Sequence, residues 1–118
     1  MDLSVRVENL DGDDDGWSVA TVSGEIDVAT APRLREQLVG LITDGRARIV
    51  LDLGPVAFLD STGLGVIVGV LKRARTLGGD LRLVCPNASI RRVFEITALD
   101  RTMPLSTTVA EALARAEG

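Results

Sequence analysis

Asp60-Ser61-Thr62-Gly63 is a small polar cluster between two apolar runs, and it gathers the groups of this chain best placed for chemistry. Arg48 to Leu59 reads as a buried strand and its exit. The run that follows has helix length and ends in the basic turn Lys72-Arg73-Ala74-Arg75. Ser61 is therefore expected where a strand's exit loop meets a helix N-terminus. Free backbone N–H groups and the helix dipole favour negative charge there, so a hydroxyl at that point can accept and release a phosphate. A serine is also a preferred helix N-cap, and a capping Ser61 is the plainer reading of the same residue. The two roles are compatible. Thr62 is the second candidate acceptor. Nucleophilic catalysis is the rival chemistry, but the Gly-x-Ser-x-Gly pattern of a nucleophile elbow is not met, and the chain has no histidine to serve as base.

The helix after Ser61 carries a second signal. Leu64, Ile67, Leu71 and Ala74 form one apolar stripe, and Val66, Val70 and Leu77 form another partly opposite. Either the helix is deeply buried, or one stripe packs on the sheet and the other, with Val66 and Val70 partly exposed, waits for a partner. Gly65 and Gly69 are one turn apart, and glycine inside a helix costs roughly 1 kcal/mol relative to alanine. Their presence points to close approach by another backbone, either the sheet's or a partner's. Asp27 and Asp60 are each expected at a strand–helix loop, where an aspartate readily caps a turn or helix. Asp11 to Gly16 begins like a calcium loop, but Val22 would occupy the twelfth position and cannot be a bidentate ligand, so a solvated hairpin turn is expected.

Composition narrows the possibilities. At 118 residues with 46% apolar content, one domain with a real core is expected. Aromatics are limited to Trp17, Phe58 and Phe94, so Val, Leu, Ile and Ala must fill that core. The formal net charge of −4, with no basic block, argues against nucleic acid as a partner. The absence of histidine removes the commonest metal ligand, and neither metal nor cofactor is expected. The single cysteine, Cys85, excludes an internal disulfide and reads as a buried thiol. No apolar run reaches the roughly 18 residues of a membrane helix, and Met1-Asp2-Leu3-Ser4 lacks the basic and apolar parts of a signal peptide. A cytoplasmic protein with no membrane partner is expected.

The elements that must position the cluster follow from periodicity. Leu3–Glu8 and Trp17–Ser23 alternate as two strands of a hairpin, and Gly24–Thr30 reads as a loop. Pro32 suits the start of a first helix, with Leu34, Leu38, Leu41 and Ile42 on one face and Gly45 as its stop. Arg48–Leu53 is a central strand, and the second helix spans about Thr62–Leu77. Leu81–Val84 is a fourth strand. Asn87 caps a third helix whose Ile90, Val93, Phe94 and Thr97 share a face. Met103–Ser106 is a short fifth strand, and Thr108 with Glu111 has capping-box spacing before a final helix. The order β-β-α-β-α-β-α-β-α implies an α/β fold: a mixed, mostly parallel sheet of four to five strands with right-handed crossovers and about four helices.

Asp60-Ser61-Thr62-Gly63-Leu64-Gly65, preceded at a distance by Gly24-Glu25-Ile26-Asp27, resembles the anti-sigma factor antagonists of the STAS-domain family. The resemblance spans nearly the whole chain and implies one STAS domain over residues 1–118. It also implies a regulatory binding protein, not an enzyme. Ser61 matches the serine that the family's anti-sigma kinase phosphorylates, and the Asp27 and Asp60 loops match the edge that meets this kinase. Asp52 also recurs in the family pattern and reads as a loop-orienting acceptor. The expected partner surface comprises Asp27, Asp60, Thr62, Gly63, Leu64, Gly65, Val66 and Val70. The expected partners are an anti-sigma factor serine kinase, which uses ATP and magnesium, and a serine phosphatase that resets the switch. A STAS scaffold or transporter-accessory subunit without a phosphorylation cycle is the alternative. Some relatives are suspected of binding nucleotides; this chain has no Gly-x-x-x-x-Gly-Lys-Ser/Thr loop.

Overall fold

Strand alternation sorts the apolar side chains onto the two faces of a single sheet in the computed structural model, which describes residues 2–10 and 16–115. The Asp11–Asp15 part of the acidic turn lies outside the described residues. On strands β2 (Trp17–Ile26), β3 (Arg48–Asp52) and β5 (Asp80–Val84), Ala20, Val22, Ile49, Leu51, Leu81 and Leu83 face the main core. Trp17, Val19, Val50 and Val84 face a smaller cluster on the other side. This period of two lets the apolar centre of β3, Ile49-Val50-Leu51, serve both layers.

β1 (Leu3–Asn9) pairs antiparallel with β2, from Leu3 opposite Gly24 to Asn9 opposite Ser18, as the hairpin reading requires. β2, β3, β5 and β6 (Leu105–Ser106) then pair in parallel, giving the order β1-β2-β3-β5-β6. Helices α1 (Ala31–Thr43), α2 (Ser61–Thr76) and α3 (Ala88–Ile96) contribute to the main core through Leu34, Leu38, Ile42, Ile67, Leu71, Ile90 and Phe94. Helix α4 (Val109–Ala114) covers the other face through Ala112. Asn87 caps α3 by accepting from the Ser89 N–H at 2.9 Å, and Thr108 caps α4 by accepting from the Glu111 N–H at 3.1 Å. Cys85 is fully buried, and burial pushes its thiol up to about 11.

Two differences from the expected elements bear on the site. β2 does not end at Ser23 but continues through Gly24-Glu25-Ile26. Beside this extension lies a strand with no counterpart in the sequence reading, β4 (Val56–Leu59), which pairs in parallel with Gly24–Ile26. One edge of β2 is thus shared, β3 taking Trp17–Thr21 and β4 taking the rest. Asp52 closes the step between them by accepting from the Gly54 N–H at 2.9 Å. Gly24 must be glycine: its φ is +99°, and a Cβ there would stand 2.0 Å from the Asp2 carbonyl oxygen. Thr97, placed on the inner face of the third helix by its spacing, is instead an exposed C-cap residue beyond the last turn.

Candidate functional site

The pairing of Ile26 with Leu59 brings two strand–helix junctions side by side. The Asp60 N–H donates to the Ile26 carbonyl at 3.1 Å, so Asp60 lies next to the backbone that leads into Asp27. Each aspartate organises its own loop. Asp27 Oδ1 accepts from the N–H groups of Ala29 and Thr30 at 2.9 and 3.0 Å. Thr30 Oγ1 in turn donates to the Glu25 carbonyl at 2.7 Å and accepts from the Asp27 N–H at 2.9 Å. The Thr30 N–H, foremost, holds the Asp27 carboxyl below its ordinary value of 3.8, so it is charged at neutral pH.

Asp60 is the N-cap of α2, with extended backbone and Oδ1 accepting from the Gly63 N–H at 3.0 Å. This corrects the reading of Ser61 as the cap. Ser61 is the first helical residue, is exposed, and its hydroxyl makes no hydrogen bond with any described residue. The backbone N–H groups of Ser61 and Thr62 have no intrahelical acceptor at this position. The result is an accessible oxygen beside unsatisfied donors, next to the capping carboxylate.

The remaining candidates divide by depth. Gly63 and Leu64 are buried, Leu64 at 7% exposure, and support the helix start from beneath. A Cβ on Gly63 would lie 2.3 Å from Ile26 Cγ2 and 2.9 Å from Leu59 Cδ1. Glycine is what lets the first turn of α2 sit on the ends of β2 and β4. Thr62, Gly65 and Gly69 are exposed, and Val66 is half-buried. Val70 departs from expectation. It is only 2% exposed, within the main core. The second apolar stripe of α2 turns toward α1, so half of what looked like an unpartnered face is a helix–helix contact. A cleft of about 330 Å³ runs over this seam, lined by Thr62, Gly65, Val66, Gly69 and Val70 of α2 with Arg35 and Val39 of α1. A Cβ on Gly65 or Gly69 would meet nothing within 4 Å. Neither the sheet nor α1 explains these two glycines.

Arg35 and Val39 carried no signal in the sequence, and Arg73, read there only as part of the basic turn that ends the helix, lines the same cleft. Val28, 71% exposed, and Phe58, 47% exposed, flank the two junctions as apolar surface. An apolar residue inside the Asp27–Thr30 turn was the readable sign for Val28. Among the described residues no group of three or more His, Cys, Asp or Glu side chains is placed to hold a metal, and no helix is long and apolar enough to cross a membrane.

A mixed sheet with helices on both faces and a paired loop edge at the start of α2 is the architecture of the STAS domain. The family model for that domain matches residues 7–112, and the chain belongs to the STAS-domain family. Its relatives narrow the type. The anti-sigma-B factor antagonist of Bacillus subtilis is 39% identical over 106 residues, 90% of this chain and 93% of that protein. The anti-sigma-B factor antagonist of Staphylococcus aureus is 42% identical over 82 residues, covering 70% and 76% of the two chains. A crystal structure of an anti-sigma factor antagonist from Mycobacterium paratuberculosis superposes with a TM-score of 0.84 at 35% identity, covering 95% of this chain and 92% of its own.

Proposed function

We propose that this protein is an anti-sigma factor antagonist working as a phosphorylation-controlled binding switch, with residues 1–118 acting as one STAS domain. With Ser61 unmodified, it binds an anti-sigma kinase through the paired loops of Asp27 and Asp60 and the exposed side of α2, and a sigma factor is released. The kinase, with ATP and magnesium, transfers a phosphate to Ser61 and loses affinity. A serine phosphatase resets the switch. The chain supplies acceptor and surface, and no catalytic group.

The observation that carries this reading is the free Ser61 hydroxyl at the first position of α2, while Asp60 does the capping. A phosphoserine there would face free N–H groups and the positive helix end, a gain of about 0.3–1 kcal/mol. The neighbouring carboxylates oppose it by a similar amount because exposed charges are screened. Folding should therefore be nearly indifferent to the phosphate. In a complex, a dianion at the contact must be desolvated or must displace the partner, which costs several kcal/mol.

The test combines phosphate mapping with binding. After incubation with the anti-sigma kinase and ATP, mass spectrometry should place the phosphate on Ser61. Ser61→Ala should bind the kinase like the unmodified protein, whereas Ser61→Asp and the purified phosphoprotein should bind at least about tenfold more weakly and melt near the unmodified protein. Modification at Thr62 alone, or a phosphoprotein with full affinity, refutes the switch.

A further inference from the structure

Ser61, Gly65, Gly69 and Arg73 follow one another along α2 at intervals of four, so they form a single ridge row of the helix surface. At 1.5 Å of rise per residue the row is roughly 18 Å long. Its two middle members have no side chains, and both are exposed. The neighbouring row, Thr62, Val66 and Val70, borders the same cleft together with Arg35 and Val39 of α1. A ridge that lacks its middle is a groove, here with the candidate phosphoacceptor in line with one end and a guanidinium at the other. We infer that this groove receives a helix of the anti-sigma kinase that presents carboxylates, and that Arg35 and Arg73 select it. This rests on the reading of the protein as an anti-sigma factor antagonist, and names the partner's docking element and its charge.

The shape calls for a helix. Helices pack by laying an i±4 ridge of one into a groove of the other, and a groove floored by glycine lets the two axes come close. A Cβ at Gly65 or Gly69 would meet nothing within 4 Å, so no contact inside the molecule requires the gap. Something that enters from outside would use it. The charge calls for carboxylates. Among the described residues, Arg35 and Arg73 are the charged side chains that line the cleft. Both are exposed, and neither hydrogen-bonds or pairs with a described residue. The arginines two positions away on each helix are already engaged: Arg33 donates to the Leu3 carbonyl, and Arg75 to Asp80 and the Thr102 carbonyl. The forks of Arg35 and Arg73 are therefore open to carboxylates, which they match in pairs of oxygens. Arg73 lies one turn past Gly69 and Arg35 one turn before Val39, so each has a defined place along the cleft wall. The same row ties docking to the switch. A helix lying along it passes the Ser61 hydroxyl, and a phosphate added there closes that end of the groove.

Calorimetric titration of the full chain with the anti-sigma kinase tests this. Arg35→Glu and Arg73→Glu should each weaken the complex at least about tenfold, the effect of setting like charges against each other in an interface. Arg92→Glu, on the exposed face of α3, should leave it unchanged. All three should melt like the parent, since none removes a bond of the folded chain. Affinity of the parent should fall with added salt, and the Arg35→Glu/Arg73→Glu double variant should lose that dependence. Gly69→Leu refills the row and should also bind at least about tenfold more weakly with its fold intact. At saturating concentration the arginine variants should still take phosphate on Ser61, with KM raised and kcat kept. Glutamate variants that bind like the parent, or an Arg92→Glu that weakens binding equally, overturn the inference and leave the switch standing. A free protein that dimerises, and whose dimer Gly69→Leu dissolves, gives the groove to a second copy and overturns it as well. A parent that neither binds the kinase nor accepts phosphate removes the switch and the inference together.

Discussion

Adding one methyl group at each of three glycines of α2 should give opposite results along a single helix. In Gly63→Ala the new Cβ would stand 2.3 Å from Ile26 Cγ2 and 3.2 Å from Ile26 Cβ. Ile26 is fully buried, and its Cβ is fixed by the strand backbone, so rotating the side chain away does not relieve the overlap. A 2.3 Å contact puts the overpacking cost in the upper part of its usual range, about 2–3 kcal/mol, and better helix propensity returns roughly 1 kcal/mol of it. A net loss of about 1–2 kcal/mol is expected. At Gly65 and Gly69 the added methyl groups meet nothing within 4 Å. There the propensity gain stands alone, up to about 1 kcal/mol each, or roughly 4 °C in melting temperature per substitution. Urea denaturation of the three single variants measures all of this directly. Gly63→Ala as stable as the parent, or Gly65→Ala and Gly69→Ala both destabilising, would refute the seating of α2 described above. The Gly65→Ala/Gly69→Ala double variant carries a second readout. If the open cleft beside these glycines receives the kinase, the doubly substituted protein gains stability and loses affinity together, a pair of signs that a purely structural role does not produce.

Asp60→Ala should cost about 1 kcal/mol in urea denaturation, because it removes the N-cap of α2, whereas Ser61→Ala should cost almost nothing. Val70→Asp should lower stability by roughly 3–5 kcal/mol, since it puts an unpaired charge in the core; Val66→Asp should cost about 1 kcal/mol or less and is the better probe of partner binding. The Asp27 carboxyl has its folded-state value held below the unfolded one, so its contribution is full above about pH 4 and is lost as pH falls through the lowered value. Asp27→Asn should therefore flatten the acid side of the stability–pH curve, measured as urea midpoints between about pH 5 and pH 2.5, and an unchanged acid limb would contradict the Asp27–Thr30 geometry.

Local signals in the sequence were reliable where the chemistry was local. Asn87 and Thr108 cap their helices, Asp52 orients its turn, and Asp27 and Asp60 do the same at the two junctions. The misreadings came from contacts distant in sequence. β4 is four residues long with two exposed neighbours, Ala57 and Phe58, in its middle, and only the partner Gly24–Ile26 makes it a strand. Gly24 disguised the end of β2, because a glycine with positive φ reads as a loop until the Asp2 carbonyl beside it is known. Helical periodicity found both stripes of α2 but could not say that α1 covers Val70. The arginines that line a cleft at the far end of α2 lie at positions 75, 82, 101 and 115, too dispersed to form a basic block, and only the fold collects them.

The charges at the two ends of α2 have a consequence for how the molecule moves before it touches anything. The helix has 16 residues and is roughly 24 Å long. Carboxylates of Asp27 and Asp60 cluster at its start, and arginines surround its end. This layout opposes the helix's own dipole, and so stabilises it locally, while giving that axis of the protein a negative and a positive pole. In the field of a charged partner such an axis feels a torque, which turns a tumbling molecule before collision and fades with added salt over a Debye length of about 8–10 Å. A phosphate on Ser61 would deepen the negative pole, so the modification would alter the direction from which partners approach as well as the contact they make.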